Sequence, residues 1–182
     1  MFLETDKIWL FQVEEADLPV LRDWRNDPEL RKMMREYTPL NMFSQKKWLE
    51  SLQDDKRNIM FLIREKERES PIGVCGLVHV DWKNRCAETS LYIGEKNFTE
   101  NIYYRHVIYL LCDYAFRELG FHRLWSEIYL IDDGWVDMYK SWGFKVDGES
   151  RDTYWWDGKW WASAFVSMLD NEWEDMRDSY VP

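Results

Sequence analysis

The hydrophobic positions of this chain change period several times, and the clearest changes lie between residues 86 and 144. Alternating apolar positions there predict strands, and apolar positions three and four residues apart predict helices. Four consecutive elements are predicted: a strand at 87–93, a helix at 103–119, a strand at 124–131 and a short helix at 135–142. A strand, a crossover helix and a second strand form a βαβ unit, so we expect the two strands to lie parallel. The place where such strands meet a helix N-terminus suits an anionic ligand.

The rest of the chain predicts further elements on either side of this unit. The strands are expected at 7–13, 58–65, 72–80, 144–154 and 160–169, and the helices at 17–26, 27–35 and 45–52. Asp17, Asp27 and Ser44 are the expected N-caps of these helices. The dipeptide Asp157-Gly158 is a hairpin signal between the last two strands.

The order of elements predicts a single α/β domain, residues 1–173, in which helices cover a mixed sheet. An acidic C-terminal tail, residues 174–182, follows this domain. We expect the chain from Asp170 onward to fray, apart from an anchor at Trp173.

The composition narrows the classes of partner. A chain of 182 residues can bury a substantial core, and its net charge of −10 argues against nucleic acid or an anionic membrane as a partner. Cys75, Cys86 and Cys112 have no metal-binding spacing, so we expect reduced thiols in a cytoplasmic protein and no metal site. The N-terminus lacks the pattern of a signal peptide, and no transmembrane segment is predicted. The 12 Trp, 10 Tyr and 9 Phe suit a ligand cleft or an interface, or simply a bulky core.

Several phrases, taken in order, resemble those of a known family. They are DWRNDPELRK at 23–32, IGVCGL at 72–77, AETSLYIG at 87–94, LLCDYAFRELGFHRLWSEIY at 110–129 and MYKSWGFKVDG at 138–148. Together with the order of elements, they resemble the GNAT superfamily of acyl-CoA N-acyltransferases. The likeness is nearest to the branch of ribosomal-protein and nucleotide-sugar N-acetyltransferases. It covers residues 7–173, and its specificity lies in the order and spacing of the phrases.

The resemblance implies both a fold and a reaction. The fold would be a mixed, mostly antiparallel sheet of about seven strands, splayed at its central parallel pair, with helices on both faces. Acetyl-CoA would lie in the splay as co-substrate, its pantetheine arm pairing with the backbone of Leu91, Tyr92 and Ile93. The acetyl group would move to a primary amine of an amino sugar, a nucleotide sugar or a peptide N-terminus, without a metal.

Three residues are candidates for the proton transfers of such a reaction. Tyr139, in MYKSWGF, falls on the tyrosine of the family's LYEKxGF phrase, which implies that it protonates the departing thiolate. Glu88 and Glu127 lie on the two central strands, and a carboxylate in an apolar cleft can act as a general base. The alternatives are that Tyr139 is a core ring, and that each glutamate faces outward or pairs with an arginine such as Arg123.

The chain departs from the family where the cofactor pyrophosphate would bind. The family has a Gly-rich loop there, because glycine allows the backbone to approach a phosphate closely. Residues 99–105 of this chain contain no glycine. Glu100 near the helix N-terminus would repel phosphate. Asp132 stands where the family usually has an asparagine that touches the cofactor, and the indole of Trp135 could fill the cofactor channel.

Two explanations of these departures stay open. In the first, the protein is an acyltransferase in which Arg105 or His106 offers a cation and Tyr103 or Trp135 stacks on the cofactor. The resulting cofactor-binding candidates are Leu91, Tyr92, Ile93, Tyr103, Tyr104, Arg105, His106, Asp132 and Trp135. In the second, the cofactor site is filled and the fold serves as a binding protein. The ring-rich hairpin, residues 154–161, would clamp an acceptor in the first case and form an interface, such as that of a homodimer, in the second.

The acceptor is predicted to enter beside the first helices. The candidates that could line this entrance are Trp24, Arg25, Asn26, Arg35 and Tyr37. Cationic and aromatic groups suit a phosphate-bearing amino sugar or nucleotide sugar, and a peptide N-terminus is equally open as the amine. The alternative is that Trp24 is a core residue and Arg25 caps a carbonyl. His79, His106 and His122 are spread over three elements and form no evident site.

Overall fold

The structure, a computed structural model, describes residues 3–132 and 134–180, and eight strands in this part of the chain form one sheet. In chain order the strands are β1 (Leu3–Glu4), β2 (Ile8–Gln12), β3 (Ile59–Glu65), β4 (Ser70–Asp81), β5 (Cys86–Ile93), β6 (Arg123–Tyr129), β7 (Lys145–Trp156) and β8 (Lys159–Leu169). Across the sheet they follow the order β1-β2-β3-β4-β5-β6-β8-β7. β5 and β6 are parallel, and the other neighbours are antiparallel. The predicted mixed, mostly antiparallel sheet is confirmed.

Helices lie between and after these strands. They are α1 (Leu18–Asn26), α2 (Pro28–Arg31), α3 (Met42–Asp54), α4 (Asn101–Asp113), α5 (Gly134–Ser141) and α6 (Asp170–Met176). Short 3-10 turns cover Glu15–Asp17, Lys96–Phe98 and Arg177–Ser179, and a π-helical turn covers Tyr114–Glu118. The predicted helices on the sheet are therefore present, with shifted ends.

The two central strands separate soon after they meet. β5 and β6 pair at three positions, the last of which joins Glu88 to Trp125. Beyond that point β5 continues to pair with β4 as far as Ile93, while β6 continues to pair with β8 as far as Tyr129. In the described part of the chain, β5 therefore pairs only with β4 beyond Glu88, and β6 pairs only with β8 beyond Trp125. This V-shaped opening is the splay that the sequence resemblance implied.

Two predicted N-caps, Ser44 and Asp17, do not make the expected capping hydrogen bond, although α1 begins after Asp17 as predicted. Asn41 caps α3, because its side chain accepts a hydrogen bond from the backbone N–H of Ser44, so the helix begins three residues before the predicted position. Asp17 lies in a helical turn itself, and its carboxylate accepts the backbone N–H of Glu14 and pairs with Arg64. Asp27 caps α2 as predicted by accepting the backbone N–H of Glu29.

The hydrophobic core has two parts, one on each face of the sheet. On one face α1 packs Leu18, Leu21 and Trp24 against Leu62 and Val74 of the sheet. On the other face the larger part gathers α4, α5 and α6 against alternate residues of the same strands, such as Phe61 and Ile63. Because successive side chains of a strand point to opposite faces, β3 contributes to both parts.

The C-terminal segment is ordered as far as residue 180, which corrects the prediction that it frays. The indole of Trp173 is completely buried, as the predicted anchor requires, and Tyr180 is buried beside it. The Arg177 guanidinium donates a hydrogen bond of 2.6 Å to Asp113 at the end of α4. Residues 181 and 182 of the predicted tail, like residues 1 and 2 of the predicted domain, lie outside the described residues.

The three cysteines are free thiols in the core or near it. Cys75 and Cys112 are completely buried, and burial raises the pKa of both thiols above the ordinary value. Raising the pKa disfavours the reactive thiolate, so both cysteines behave as small apolar residues of the core.

Candidate active site

A cavity of about 410 Å³ opens where β5 and β6 separate. Residues 88–92 of β5 and 126–129 of β6 form its walls. Further lining residues come from the helices and from the chain between α2 and α3, and they include Arg25, Arg35, Tyr104, Trp135 and Tyr139. The opening between the strands is therefore not closed by side chains.

Tyr139 lies between the two strands that diverge. Its hydroxyl donates a hydrogen bond of 3.1 Å to the Oγ of Ser126 on β6, and it lies 3.3 Å from the Oγ1 of Thr89 on β5. The side chain is buried, and burial raises the pKa of the phenol above its ordinary value, although the bonds to Ser126 and Thr89 lower it in part. A phenol with a raised pKa keeps its proton at neutral pH and can donate it.

The phenol of Tyr139 is held in position by two aromatic residues that follow the short helix α5. Phe144 lies 5.1 Å from the ring of Tyr139, edge to face, and Trp142 lies 4.9 Å from it. Gly143 between them has a positive φ of 94°, a conformation that side chains rarely adopt. The Trp-Gly-Phe sequence therefore ends the helix and also encloses the aromatic ring of the candidate acid.

The two candidate bases share one arginine. Arg35 contacts both oxygens of Glu88, through Nη2 to Oε1 at 2.7 Å and through Nη1 to Oε2 at 2.9 Å. The same Nη2 lies 2.9 Å from Oε2 of Glu127. The carboxylate of Glu88 is thus buried and paired with an arginine, the alternative that the sequence left open, and its partner is Arg35 rather than Arg123, which pairs with Asp147.

His79 completes this cluster from the neighbouring strand β4. Its Nδ1 lies 2.7 Å from Oε2 of Glu88, and its ring stacks on Trp125 at a centroid distance of 6.4 Å. The backbone of His79 has a φ of +51°, and the register of β4 and β5 shifts between Val78 and Asp81. This bulge places the imidazole in the cavity wall. The alternation of apolar and polar residues in the sequence does not reveal the bulge.

Four of the candidate cofactor residues line the cavity. Leu91 and Tyr92 lie on the β5 wall, and Tyr104 and Trp135 lie on the helical side. The rings of Tyr104 and Trp135 meet edge to face at 5.4 Å, so the indole stands against the wall and leaves the cavity open. Ile93 is buried beside Tyr104, whose pKa is raised by burial to about 12 and lowered in part by a backbone hydrogen bond at Ile93.

The other candidate cofactor residues lie elsewhere. Tyr103 packs edge to face against Phe98, and Asp132 is exposed and accepts the backbone N–H of Gly134. Arg105 points toward the C-terminal segment, where it donates to the carbonyl of Tyr180 at 3.3 Å and lies over its ring. His106 is completely buried in the core, and burial lowers its pKa. The structure therefore does not bring Arg105 or His106 to the cavity as cations.

The candidate acceptor residues divide in the same way. Arg25 and Arg35 line the cavity, and the Nε of Arg25 is buried without a hydrogen-bond partner among the described residues. Trp24 is a core residue that donates from Nε1 to Glu95, as the alternative reading expected. Asn26 is bound to both backbone groups of Leu40 at 2.8 Å. Tyr37 is 85% exposed and lies outside the cavity lining.

A family model for the acetyltransferase (GNAT) domain matches residues 10–164. The chain belongs to this family. A curated relative, the uncharacterized N-acetyltransferase p20 of Bacillus licheniformis, is 27% identical over 154 residues, which are 82% of this chain and 85% of that protein. The GNAT family that the sequence suggested is thus confirmed, and the chain is an acetyltransferase of this family.

Solved structures of the same fold include spermidine N-acetyltransferases. That of Vibrio cholerae in complex with CoA and spermine superposes with a TM-score of 0.87 at 17% identity, covering 93% of this chain and 99% of that one. A dodecameric structure of the Vibrio cholerae enzyme in an intermediate state gives a TM-score of 0.81 at 17% identity, covering 93% and 97%. At this identity the likeness establishes the GNAT fold. The comparisons give no specific support to the ribosomal-protein and nucleotide-sugar branch.

The residues present fit one end of the GNAT co-substrate better than the other. The V-shaped cavity with Tyr139 fits the thioester end. At the pyrophosphate end, α4 begins at Asn101 with Glu100 as an N-cap that makes no side-chain capping bond. Residues 99–105 include no left-handed residue, so the chain itself does not need the glycines that the family usually has there. The helix N-terminus is present, but the close-approach loop is not.

Sequence reasoning missed Thr89, Ser126 and the role of His79 in this GNAT site. Thr89 and Ser126 stand beside the candidate glutamates in AETSLYI and LWSEIYL, so they follow the same two strands into the V. Within residues 3–132 and 134–180, no cluster of His, Cys, Asp and Glu suited to a metal ion is found. No helix in this part of the chain has both the length and the apolar character needed to cross a bilayer.

Proposed function

We propose that this GNAT protein moves the acetyl group of acetyl-CoA to the primary amine of a small cationic acceptor, and that polyamines are the first class to test. The observation that carries the proposal is the position of the Tyr139 hydroxyl between Thr89 and Ser126, where β5 and β6 part. Glu88 is the residue before Thr89 on the same strand, and Glu127 follows Ser126 on the other. A proton donor and two proton acceptors therefore line one cavity.

These residues suit the two proton transfers of N-acetylation. Acetyl-CoA supplies an electrophilic carbonyl carbon and a sulfur leaving group. Tyr139 gives its proton to the sulfur as the carbon–sulfur bond breaks, and burial keeps the phenol protonated until then. Glu88 or Glu127 takes the proton that the amine loses as the carbon–nitrogen bond forms. Thr89 and Ser126 orient the phenol between the strands.

The charges of the cavity favour a cationic acceptor over the phosphate-bearing sugars suggested by the sequence. Glu36, Glu88 and Glu127 line the cavity together with Arg25 and Arg35. Arg35 is already bound by both Glu88 and Glu127, so its paired N–H donors are not available for bidentate binding of a phosphate. The Vibrio cholerae enzyme of the same fold was solved with spermine and CoA, which supports polyamines as the first acceptors to test.

Thiol release from acetyl-CoA measures this function directly. The acceptors to compare are spermidine, a phosphorylated amino sugar, a nucleotide amino sugar and a short peptide with a free N-terminus. We expect the highest kcat/KM with spermidine and a new acetylamide in the product by mass spectrometry. If no acceptor raises thiol release above the rate without acceptor, the proposed function is wrong.

The alternative function, a binding protein with a filled cofactor site, makes a different prediction. The open cavity and the position of Trp135 in its wall argue against it. A ligand that binds the folded chain at a hundred times its Kd raises the free energy of unfolding by about 2.7 kcal/mol. Thermal unfolding with millimolar acetyl-CoA should therefore show a clear rise in Tm, and an unchanged Tm would favour the alternative.

We also propose that the chain associates with itself through the β7–β8 hairpin. Trp155 and Trp160 are each 55% exposed and lie 5.2 Å apart, which is a large apolar surface to leave in water. The dodecamer formed by the Vibrio cholerae enzyme supports testing for assembly. Analytical ultracentrifugation should show an oligomer that Trp155→Ser with Trp160→Ser dissociates, and a monomeric native protein would contradict this proposal.

A further inference from the structure

Arg35 occupies the space between the two carboxylates that face the cavity. Its guanidinium contacts both oxygens of Glu88 at 2.7 and 2.9 Å and one oxygen of Glu127 at 2.9 Å. The carboxylates are shielded from water, with exposed fractions of 6% for Glu88 and 16% for Glu127, while 45% of the Arg35 side chain is exposed. A largely buried anionic pair is therefore covered by a cation that reaches it from the surface.

The backbone of the segment that carries Arg35 is attached to the rest of the protein before and after this residue. Before it, the hydroxyl of Tyr154 donates to the carbonyl of Lys32 at 2.9 Å. After it, Asn26 binds both backbone groups of Leu40. Among the described residues, the backbone of 35–39 makes no backbone–backbone hydrogen bond. The ion pairs to Glu88 and Glu127 are thus what brings this side chain to the cavity.

This arrangement conflicts with the role of either glutamate as a base. Both oxygens of Glu88 and one oxygen of Glu127 already accept hydrogen bonds from the Arg35 guanidinium, so the N–H groups of an amine must compete with it for them. His79 adds a further contact to Oε2 of Glu88. An arriving ammonium group must therefore compete with Arg35 for Glu88 and for Oε2 of Glu127.

We propose that Arg35 is a displaceable internal stand-in for the acceptor, whose ammonium group takes its place between Glu88 and Glu127. The inference rests on the proposed function, because it assumes that the amine reaches this cavity. An ammonium group can bind at the position of the guanidinium, since both groups carry a positive charge and donate hydrogen bonds to carboxylate oxygens. Acceptor binding then frees a carboxylate to take the proton, while neutral amines and water leave Arg35 in place. Arg35 in this way selects cationic acceptors and protects the thioester from hydrolysis.

Direct binding measurements test the competition without the reaction. Spermidine is titrated by calorimetry, in the absence of acetyl-CoA, into the wild type and into Arg35→Ala and Arg35→Gln. We expect spermidine to bind each variant at least tenfold more tightly than the wild type, because the competing cation is gone. Arg35→Lys should stay close to the wild type. Arg31→Ala, which removes the same charge from α2 outside the cavity lining, is the matched control.

Free guanidinium ion can replace the missing Arg35 side chain and gives a second test of the competition. Guanidinium chloride at low millimolar concentration should compete with spermidine in Arg35→Ala and have little effect in the wild type, with sodium chloride at equal concentration as reference. Arg35→Ala and Arg35→Gln should also hydrolyse acetyl-CoA faster without acceptor, by threefold or more. Thermal unfolding shows whether each variant folds, and Arg35→Gln retains a hydrogen-bond donor for Glu88 if the alanine variant is unstable.

The results separate this inference from the proposed function. Tighter spermidine binding with no acetyl transfer in any protein would support the competition and contradict the proposed function. Weaker or unchanged spermidine binding by folded Arg35→Ala and Arg35→Gln would overturn the inference, and the acetyl-transfer assay with the wild type would still decide the function. Absence of spermidine binding in the wild type and in both variants would also overturn it.

Discussion

The hydroxyl of Tyr139 on α5 lies 3.1 Å from the Oγ of Ser126 on β6, which forms one wall of the opening in the sheet. The hydrogen bond fixes the phenol where β6 has left β5. Tyr139 would otherwise be one aromatic ring among many in this core. This relationship gives the candidate acid a defined position relative to the cavity.

Tyr139→Phe should slow acetyl transfer more than tenfold while leaving the Kd of acetyl-CoA nearly unchanged. The ring and its packing against Trp142 and Phe144 are kept, and only the proton donor is lost. Steady-state kinetics and calorimetry measure the two quantities separately. Tyr109→Phe, which alters a ring packed against Trp173 away from the cavity, is the control. An unchanged turnover in Tyr139→Phe would exclude the proposed role.

Replacing either cavity carboxylate with its amide should lower turnover more than replacing a carboxylate outside the cavity. Glu88→Gln and Glu127→Gln remove one anionic partner of Arg35 each, and the one that serves as base should lower kcat by at least a hundredfold. Asp147→Asn breaks the exposed ion pair with Arg123 and should leave kcat within twofold. Equal kcat values in all three variants would mean that neither glutamate is the base.

Trp135→Ala should weaken acetyl-CoA binding about tenfold, because the indole forms part of the cavity wall beside Tyr104 and loses that contact surface. Calorimetry with acetyl-CoA gives the Kd directly. An indole that blocked the cofactor channel would give the opposite result, a Kd lower than that of the wild type. This measurement therefore decides between a wall residue and a plug.

The stability of the protein should fall in mild acid because of His106. Burial is the largest cause of its lowered pKa, and neither ring nitrogen has a hydrogen-bond partner among the residues described. The carboxylate of Asp6, 3.6 Å from Nδ1, raises the pKa only in part. The unfolded chain therefore binds a proton near the ordinary pKa of 6.5, whereas the folded chain resists it, so stability is present above that pH and decreases as the pH falls through it.

His106→Leu removes this proton linkage and also a buried imidazole that makes no hydrogen bond among the described residues. We expect its Tm to change less than that of the wild type between pH 7.5 and 5.5. Urea unfolding at the two pH values measures the same difference as a free energy. Parallel pH dependence in the wild type and the variant would show that the pKa of His106 is the same in the folded and the unfolded chain.

The sequence predicted the elements that build the site because their hydrophobic periods are long and regular. The strands of Glu88 and Glu127 and the short helix of Tyr139 were all predicted, together with the parallel pairing that brings them together. A βαβ unit fixes which strands are neighbours, and a Gly-Phe stop fixes where the helix ends. The positions of the catalytic candidates follow from those two constraints.

The phase of α4 could not be predicted in the same way. Tyr103, Tyr104, Arg105 and His106 are consecutive, and a helix turns by about 100° at each residue, so they face four directions. Tyr104 faces the cavity, and the others contact Phe98, Tyr180 and the core. The aromatic and polar residues alternate too irregularly in sequence to show which of the four belongs to the core.

The acceptor side was least accessible to prediction, because its contacts are distant in the chain and come from irregular backbone. Arg35 meets Glu88 and Glu127 across 53 and 92 residues, and no local pattern records such a pair. Asn26 looked like a ligand-binding amide, but its two bonds to Leu40 show that it connects α1 to the start of α3. Side chains of the same type can serve a backbone or a substrate, and only tertiary contacts distinguish the two.

The early end of pairing between β5 and β6 gives the sheet an edge in its interior. Past Glu88, every second peptide group of β5 lacks a neighbouring strand on that side, as in an outer strand of any sheet. An outer strand exposes such groups to other protein chains and so invites aggregation. Here the unpaired groups face the cavity between β5 and β6. Under the proposed function they would pair with the amide groups of acetyl-CoA, as an added strand does, and would not attract another chain.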